Sequence, residues 1–341
     1  LAKARPRILV TQPIAASALG RLRKVAAVEV NPDGSRIMSK RALCAALRRN
    51  DVLFARLHDT VDREVLAANP DLRAVASMAV TPDRIDVVEA TRRRIPVTVI
   101  PPLVAEATAD LAFGLIIAVA RRMLEGDRLV RKRGFPGSQS NHLAGAGVSG
   151  KVLGLVGGGG RIGRAVARRA QGFAMRTLYW GPRRRPAGDE REAGLAYVPL
   201  DELLAESDFV SLHSPLTPET RHQIGAREIG LMKPTAFLIN TARGPIVDEA
   251  ALVRALGRRR IAGAALDVFE REPKMDPALW KMANVVLTPH LGSAVTELRD
   301  VMANIVADNI LAILDGRRPP NCVNPEVYPL LTPDRAGRRS P

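Results

Sequence analysis

A chain of 341 residues is long for one small domain and suits two of ordinary size. Hydrophobic residues make up 46 % and aromatics only 4 %, so sizeable cores are expected, built from Ala, Val, Leu and Ile. The formal charge of +16 raises the question of a nucleic-acid partner. However, the basic residues are scattered, aromatics for base stacking are few and no nucleic-acid motif occurs, so none is expected and the charge reads as an Arg-rich solvated surface. The two cysteines, Cys44 and Cys322, can form no disulfide framework and lack metal-ligand spacing, so no metal is expected. The start of the sequence has no secretory pattern, and the best apolar run, Leu111 to Ala120, is too short for a bilayer. The expectation is a cytoplasmic protein.

In chain order, RILV at 7–10 predicts a first strand, followed by helical and strand patterns in alternation: LGRLRKVA, VEV, KRALCAAL, DVLFA, REVLAANP and RAVASMA. Such alternation predicts a parallel sheet covered by helices. Pro101-Pro102 closes this unit, since neither residue continues a ladder or a helix. Residues Val104 to Met123 predict one long helix, apolar on most faces in its second half and so buried, against the core or in a subunit interface. Residues 133–150 are rich in Gly and Ser and read as a loop.

A second alternating unit starts at Val152 with the strand VLGLVG, the helix RIGRAVARRAQGF and the strand TLYW, and continues to VVLTPH. The fold class is therefore α/β, with two doubly wound parallel-sheet domains. A last long helix, AVTELRDVMANIVADNILAILDG, ends at Gly316 and is stopped by Pro319-Pro320. The tail, 330–341, has no periodicity and reads as disordered.

The glycine run at 157–160 lies between the apolar strand and its helix. One frame gives Gly158, Gly160 and Gly163 as G-x-G-x-x-G; a frame starting at Gly157 remains open. Glycine permits the tight turn and close approach to a pyrophosphate, and the helix start at Arg161 and Ile162 offers free N–H groups. A dinucleotide is therefore the expected ligand. At the end of the next strand an NAD site would place an acid for the ribose hydroxyls. Here the chain reads Tyr179-Trp180-Gly181-Pro182-Arg183-Arg184-Arg185. Arginines attract a 2′-phosphate, so NADPH (NADP+) is favoured over NADH (NAD+), with Arg183 and Arg184 as the expected contacts.

Further on, Arg243, Glu272 and His290 stand in NTARGPIVDE, ALDVFEREP and LTPHLGS. A fixed cation, a carboxylate and an imidazole are what a dehydrogenase needs to hold an α-keto acid and protonate its carbonyl oxygen. Taken singly, each has a structural reading: a loop cap, a solvated turn residue and a structural histidine. His213 is given a binding role at most, and His58, His142 and His222 read as surface residues.

These segments resemble the D-isomer-specific 2-hydroxyacid dehydrogenases, over roughly residues 50 to 325. Six motifs agree in order: EATADLAFGL at 106–115, the glycine loop, LHSPLTPETRHQIG at 212–225, INTARGPIVDE at 239–249, GAALDVFEREP at 263–273 and LTPHLGS at 287–293. The resemblance implies a Rossmann-type cofactor domain, 102–300, inserted into a flavodoxin-like substrate domain made of 1–101 and 301–329. It also implies a homodimer joined through the cofactor domains. It makes Arg243 the grip on substrate carboxylate and carbonyl, His290 the proton donor, and Glu272, rather than Glu270, its partner. Asp267 would hold the nicotinamide carboxamide, and Thr108, Pro215, Thr241, Gly292 and Ser293 would touch the cofactor. AVTPDRID at 79–86 would be the substrate-carboxylate loop, through the backbone amides of Val80 and Thr81.

The chain departs from the family where Ala79 and Thr81 stand in place of frequent glycines, which narrows the pocket. It departs again where Phe135 is the one aromatic in the loop before the glycine strand. The expected reaction is reduction of a small 2-keto acid, glyoxylate or hydroxypyruvate, to the D-2-hydroxy acid. The alternative is a nucleotide-sensing, corepressor-like binding protein on the same fold.

Overall fold

The structure, a computed structural model, describes residues 5–138 and 141–328. The tail expected to be disordered, 330–341, lies outside them. The chain divides into two compact units, Leu1–Leu103 with Val295–Pro341, and Val104–Ala294.

In the first unit, β1 (Arg7–Val10), β2 (Ala27–Val30), β3 (Val52–Ala55), β4 (Ala74–Ser77) and β5 (Val97–Thr98) form one sheet in the order β2-β1-β3-β4-β5. Every pairing is parallel. This is the flavodoxin-like order, and its direction of winding reverses between β1 and β3. All four residues of β3 and of β4 are buried, as a sheet covered on both faces requires.

The returning chain completes this unit. The helix Thr296–Leu314 packs on the helix Ala16–Val25 and on β4. Arg21 Nη1 donates to Asn304 Oδ1 at 3.1 Å. Gly316, with φ of 74°, ends the helix in the left-handed conformation that glycine adopts freely. Beyond it, the fully buried Asn324 substitutes for a strand partner of β5: its Oδ1 accepts the Val97 N–H at 2.8 Å, and its Nδ2 donates to Ile95 O at 2.9 Å.

The second unit holds β6 (Val152–Val156), β7 (Arg176–Trp180), β8 (Leu195–Tyr197), β9 (Phe209–Leu212), β10 (Phe237–Asn240), β11 (Gly263–Leu266) and β12 (Val285–Leu287). Their order is β12-β11-β10-β9-β6-β7-β8, all parallel, with the reversal between β6 and β9. Alternate strand residues face two separate cores. Leu153, Leu155, Tyr179, Ile239 and Ala265 pack with the helices Ala105–Ala120 and Arg161–Gln171. Val156, Leu178, Val210, Leu238 and Leu266 pack on the other side. Two buried faces explain why these strands read as unbroken apolar runs.

One helix differs from expectation. The segment Val104 to Met123 forms the helix Ala105–Ala120, and Arg122 then takes a left-handed φ of 52° before a second helix, Met123–Arg131. Apolar patterning set the length of the buried face but carried no signal for a break where the chain leaves the core.

Candidate active site

The carboxyl ends of β6 and β9, at the reversal of the second sheet, are where a doubly wound fold presents a ligand crevice. Gly157 leaves β6 with φ of +79°, and its N–H donates to Trp180 O at 2.8 Å. A Cβ there would lie 2.6 Å from Ser214 N, so the glycine run is pressed against the segment that carries Pro215. A Cβ on Gly158 would stand 2.6 Å from Leu155 Cβ, and one on Gly163 2.5 Å from Gly158 Cα. These distances support the frame Gly158, Gly160, Gly163, in which the third glycine packs helix against turn. The seemingly surplus Gly157 is needed for its backbone angle.

Gly160 precedes the helix Arg161–Gln171, whose first turn holds no acidic residue. The first N–H groups of that helix, at Arg161, Ile162 and Gly163, have no intrahelical acceptor and present a positive dipole end. A dinucleotide pyrophosphate fits this cradle of bare backbone. A second observation agrees: Thr241 Oγ1, just beyond β10, is buried without a hydrogen-bond partner among the described residues.

At the end of β7 the structure adds what the sequence did not disclose. Glu190, in the helix Ala187–Ala193, folds back into the core and is 7 % exposed. It accepts the Tyr179 hydroxyl at 2.7 Å and both arms of Arg184, at 2.9 and 3.0 Å. Arg184 and the tyrosine hold its carboxyl below the usual carboxylate range. The Tyr179 oxygen in turn accepts the Arg185 N–H at 2.7 Å, which fixes the path of the arginine loop. Arg184 is thus forked on a carboxylate, whereas Arg183 is exposed and has no ion-pair partner among the described residues. The aliphatic stem of Arg185 lies over Gly159, 3.0 Å from where a Cβ would be.

Arg243 follows β10 in extended conformation and opens the turn Gly244–Ile246. Asn240 fixes the approach: its Oδ1 accepts Ala242 N and its Nδ2 donates to Arg243 O, both at 3.0 Å. A Cβ on Gly244 would lie 1.9 Å from the Phe269 carbonyl carbon. The arginine turn therefore rests directly on the turn 269–272 that carries Glu272. In that turn Glu272 Oε1 accepts Phe269 N at 3.0 Å, and Oε2 faces His290 Nδ1 at 3.0 Å. Glu270 is engaged elsewhere: its Oε1 meets His222 Nε2 at 2.9 Å and its Oε2 accepts Glu249 N at 3.2 Å. His222, read as a surface residue with no named partner, is exposed but hydrogen-bonded to Glu270.

His290 sits in a loop bound to Asp267. The Asp267 backbone oxygen accepts His290 N at 2.9 Å. Its carboxylate accepts Thr288 Oγ1 at 2.6 Å, Leu291 N at 2.7 Å and Gly292 N at 2.9 Å. Burial nevertheless pushes its pKa up. Gly292 O accepts the Thr108 hydroxyl at 3.2 Å. Thr108, Asp267, His290 and Gly292 thus converge, with Ser293 next in the chain. His213 stands apart from this group, at the end of β9 against Gly157. Its Nε2 meets Ser211 Oγ at 3.0 Å, its Nδ1 is buried without a hydrogen-bond partner among the described residues, and burial pushes its pKa down to about 4. Val80 and Thr81 follow β4 in the other unit, at the carboxyl edge of that sheet.

Comparison with known proteins places these features in a lineage. The profile of the D-isomer specific 2-hydroxyacid dehydrogenase, NAD binding domain, matches residues 113–292. A glyoxylate reductase of Korarchaeum cryptofilum is 47 % identical over 331 residues, covering 96 % of this chain and 99 % of that one. The glyoxylate reductase of Thermococcus litoralis is 46 % identical over 327 residues, 95 % of this chain and 98 % of its own. Among solved structures, an NADPH-dependent glyoxylate/hydroxypyruvate reductase from Sinorhizobium meliloti, in complex with NADP and malonate, is 32 % identical with a TM-score of 0.78. That likeness spans 94 % of this chain and 97 % of that one.

Proposed function

The chain belongs to the D-isomer-specific 2-hydroxyacid dehydrogenases, and from that premise we propose that it reduces a small 2-keto acid of the glyoxylate and hydroxypyruvate kind to the D-2-hydroxy acid. The observation that carries this reading is the 3.0 Å contact between Glu272 Oε2 and His290 Nδ1, on turns anchored by Phe269 and Asp267. When bound, the reduced nicotinamide coenzyme supplies a hydride to the keto carbon. The carbonyl oxygen gains the electron pair of the broken π bond and needs one proton, so one reduced coenzyme and one proton are consumed per hydroxy acid.

His290 delivers that proton from Nε2. Glu272 accepts the Nδ1–H and fixes the orientation of the ring. Arg243 forks onto the substrate carboxylate and carbonyl with its planar guanidinium. Val80 and Thr81 offer backbone N–H groups to the carboxylate. Thr108, Gly158, Gly160, Arg161, Ile162, Gly163, Pro215, Thr241, Asp267, Gly292 and Ser293 hold the coenzyme. On this reading the unit Val104–Ala294 is the coenzyme domain and the other unit the substrate domain.

NADPH is the preferred coenzyme, with NADH used less well. What supports this is the absence of an acid directly at the end of β7, together with the exposed Arg183 beside the anchored Arg184. The active form is a homodimer in the cytoplasm. No helix among the described residues is long and apolar enough to cross a membrane.

The test is turnover. Purified protein should oxidise NADPH, and NADH more weakly, in the presence of glyoxylate or hydroxypyruvate. Tight coenzyme binding with no turnover across a keto-acid panel would instead indicate a coenzyme-sensing binding protein.

A further inference from the structure

The unit Val104–Ala294 carries a cluster of cations that the reaction above leaves unused. The helices Ala226–Leu231 and Glu249–Gly257 pack together, and a groove of about 500 Å³ opens beside them. Its apolar side is built from Ile229, Ala251 and Ala255, and its polar side from Arg254, Arg258, Arg259 and Arg260. No acidic residue lines it among the described residues. Pro234 and Arg260, both at the groove, stand three residues before β10 and β11. The groove therefore lies at the amino edge of the sheet, opposite the carboxyl edge that carries the glycine turn.

Sequence spacing and backbone bring the arginines together. Arg254 and Arg258 are one helical turn apart, with about 6 Å between their Cβ atoms, where like charges repel. Arg259 then takes a left-handed φ of 54°, and the reversal keeps Arg260 on the same groove. Arg260 is spent on structure: it donates to Met232 O at 2.8 Å and to Gly230 O, which ties the ends of the two helices together. Arg259 is in electrostatic reach of Glu125, which is itself paired with Arg122 at 2.8 Å. Arg254 and Arg258 are exposed and form no ion pair among the described residues. The negative end of their helix favours a cation nearby, but it does not account for a groove with four arginines and no acid. An anion that joins Arg254 and Arg258 relieves their repulsion.

We propose that this groove binds an organic diphosphate, with its phosphates on Arg254 and Arg258 and an aliphatic body on Ile229, Ala251 and Ala255. The guanidinium fork matches phosphate oxygens in pairs. A volume of about 500 Å³ suits a small ligand. No aromatic side chain lines the groove, so it offers no platform on which successive bases of a nucleic acid would stack. The site is separate from the coenzyme cradle and does not depend on the keto-acid reading.

Calorimetry with pyrophosphate, geranyl diphosphate and a single-stranded oligonucleotide tests this. The variants are R254A/R258A, R254K/R258K and a control of equal charge, R41A/R48A, whose two exposed arginines lie at the helix Lys40–Leu47 of the other unit. The wild type should bind pyrophosphate, and geranyl diphosphate more tightly. In R254A/R258A the geranyl diphosphate affinity falls by about 10-fold or more. R254K/R258K keeps part of it, and R41A/R48A stays within about twofold of the wild type. The Tm of R254A/R258A should not fall, which separates lost binding from misfolding. Its affinity for NADPH should stay within about twofold, which separates the groove from the coenzyme cradle. No binding of either diphosphate, no gain of geranyl diphosphate over pyrophosphate, an equal loss in R41A/R48A, or binding of the oligonucleotide alone would overturn the proposal. If the wild type binds no NADPH yet takes geranyl diphosphate through Arg254 and Arg258, the reductase reading falls and the diphosphate site stands.

Discussion

His290 combines the two demands that define the site at the residue scale. Its side chain faces Glu272, and its backbone takes a left-handed φ of 55°. For a residue with a Cβ that conformation costs roughly 1–2 kcal/mol. His290→Gly should therefore relieve strain and hold or raise Tm, while kcat falls by about 10²–10⁴-fold, as general-acid catalysis is worth. His290→Asn should lose kcat alike with coenzyme KM within about twofold; an unchanged kcat in either variant would remove His290 from the chemistry. The arginine loop makes a second contrast. Replacing both Arg183 and Arg184 with Ala should raise KM for NADPH relative to NADH by about 10-fold or more. Equal losses with both coenzymes would contradict a phosphate clamp. Arg184→Ala alone should also lower Tm, because Glu190 would remain buried with one partner fewer.

At the scale of elements, loops without regular structure carry the proposed site residues, and glycine and asparagine decide where they lie. Gly244 lets the Arg243 turn rest on the Glu272 turn, because any Cβ would occupy the Phe269 carbonyl. Asn324 does comparable work in the other unit, joining the returned chain to β5 through Val97 N and Ile95 O, with Thr91 Oγ1 a third partner at 3.1 Å. Asn324→Leu should leave those groups unsatisfied and cost about 2–4 kcal/mol, read as a lower urea midpoint at unchanged slope. A midpoint equal to the wild type would show that the returning segment is not anchored there. None of this was legible beforehand. The hydrophobic period marks strands and helices, but a fully buried asparagine and a glycine in close contact look in sequence like ordinary loop residues. The break at Arg122 was hidden for the same reason.

For the whole molecule, acid is the informative perturbation. His213 is buried and its pKa lies near 4, below the ordinary 6.5. As pH falls through that window the unfolded chain gains a proton that the folded chain refuses, so stability present at neutral pH is lost between about pH 6.5 and 4. The loss from this one group is roughly 1–3 kcal/mol. His213→Asn should flatten the dependence of Tm on pH over that range, and superimposable curves would show that another group governs acid unfolding. The +16 charge acts in the same direction, since protonating carboxylates adds to self-repulsion. Exposed pairs such as Arg168 with Glu106 and Arg227 with Asp201 offset it only weakly.

Local pattern was enough to determine the two parallel-sheet units and the glycine turn, and to single out Arg243, Glu272 and His290 as the residues to propose, because alternation, glycine spacing and ordered motifs are properties of neighbouring residues. Two matters depended on tertiary structure: the pairing of Glu190 with Arg184 and the diversion of Glu270 to His222. Each joins residues through the register of strands or the meeting of turns. A linear pattern does not encode such distances until packing closes them.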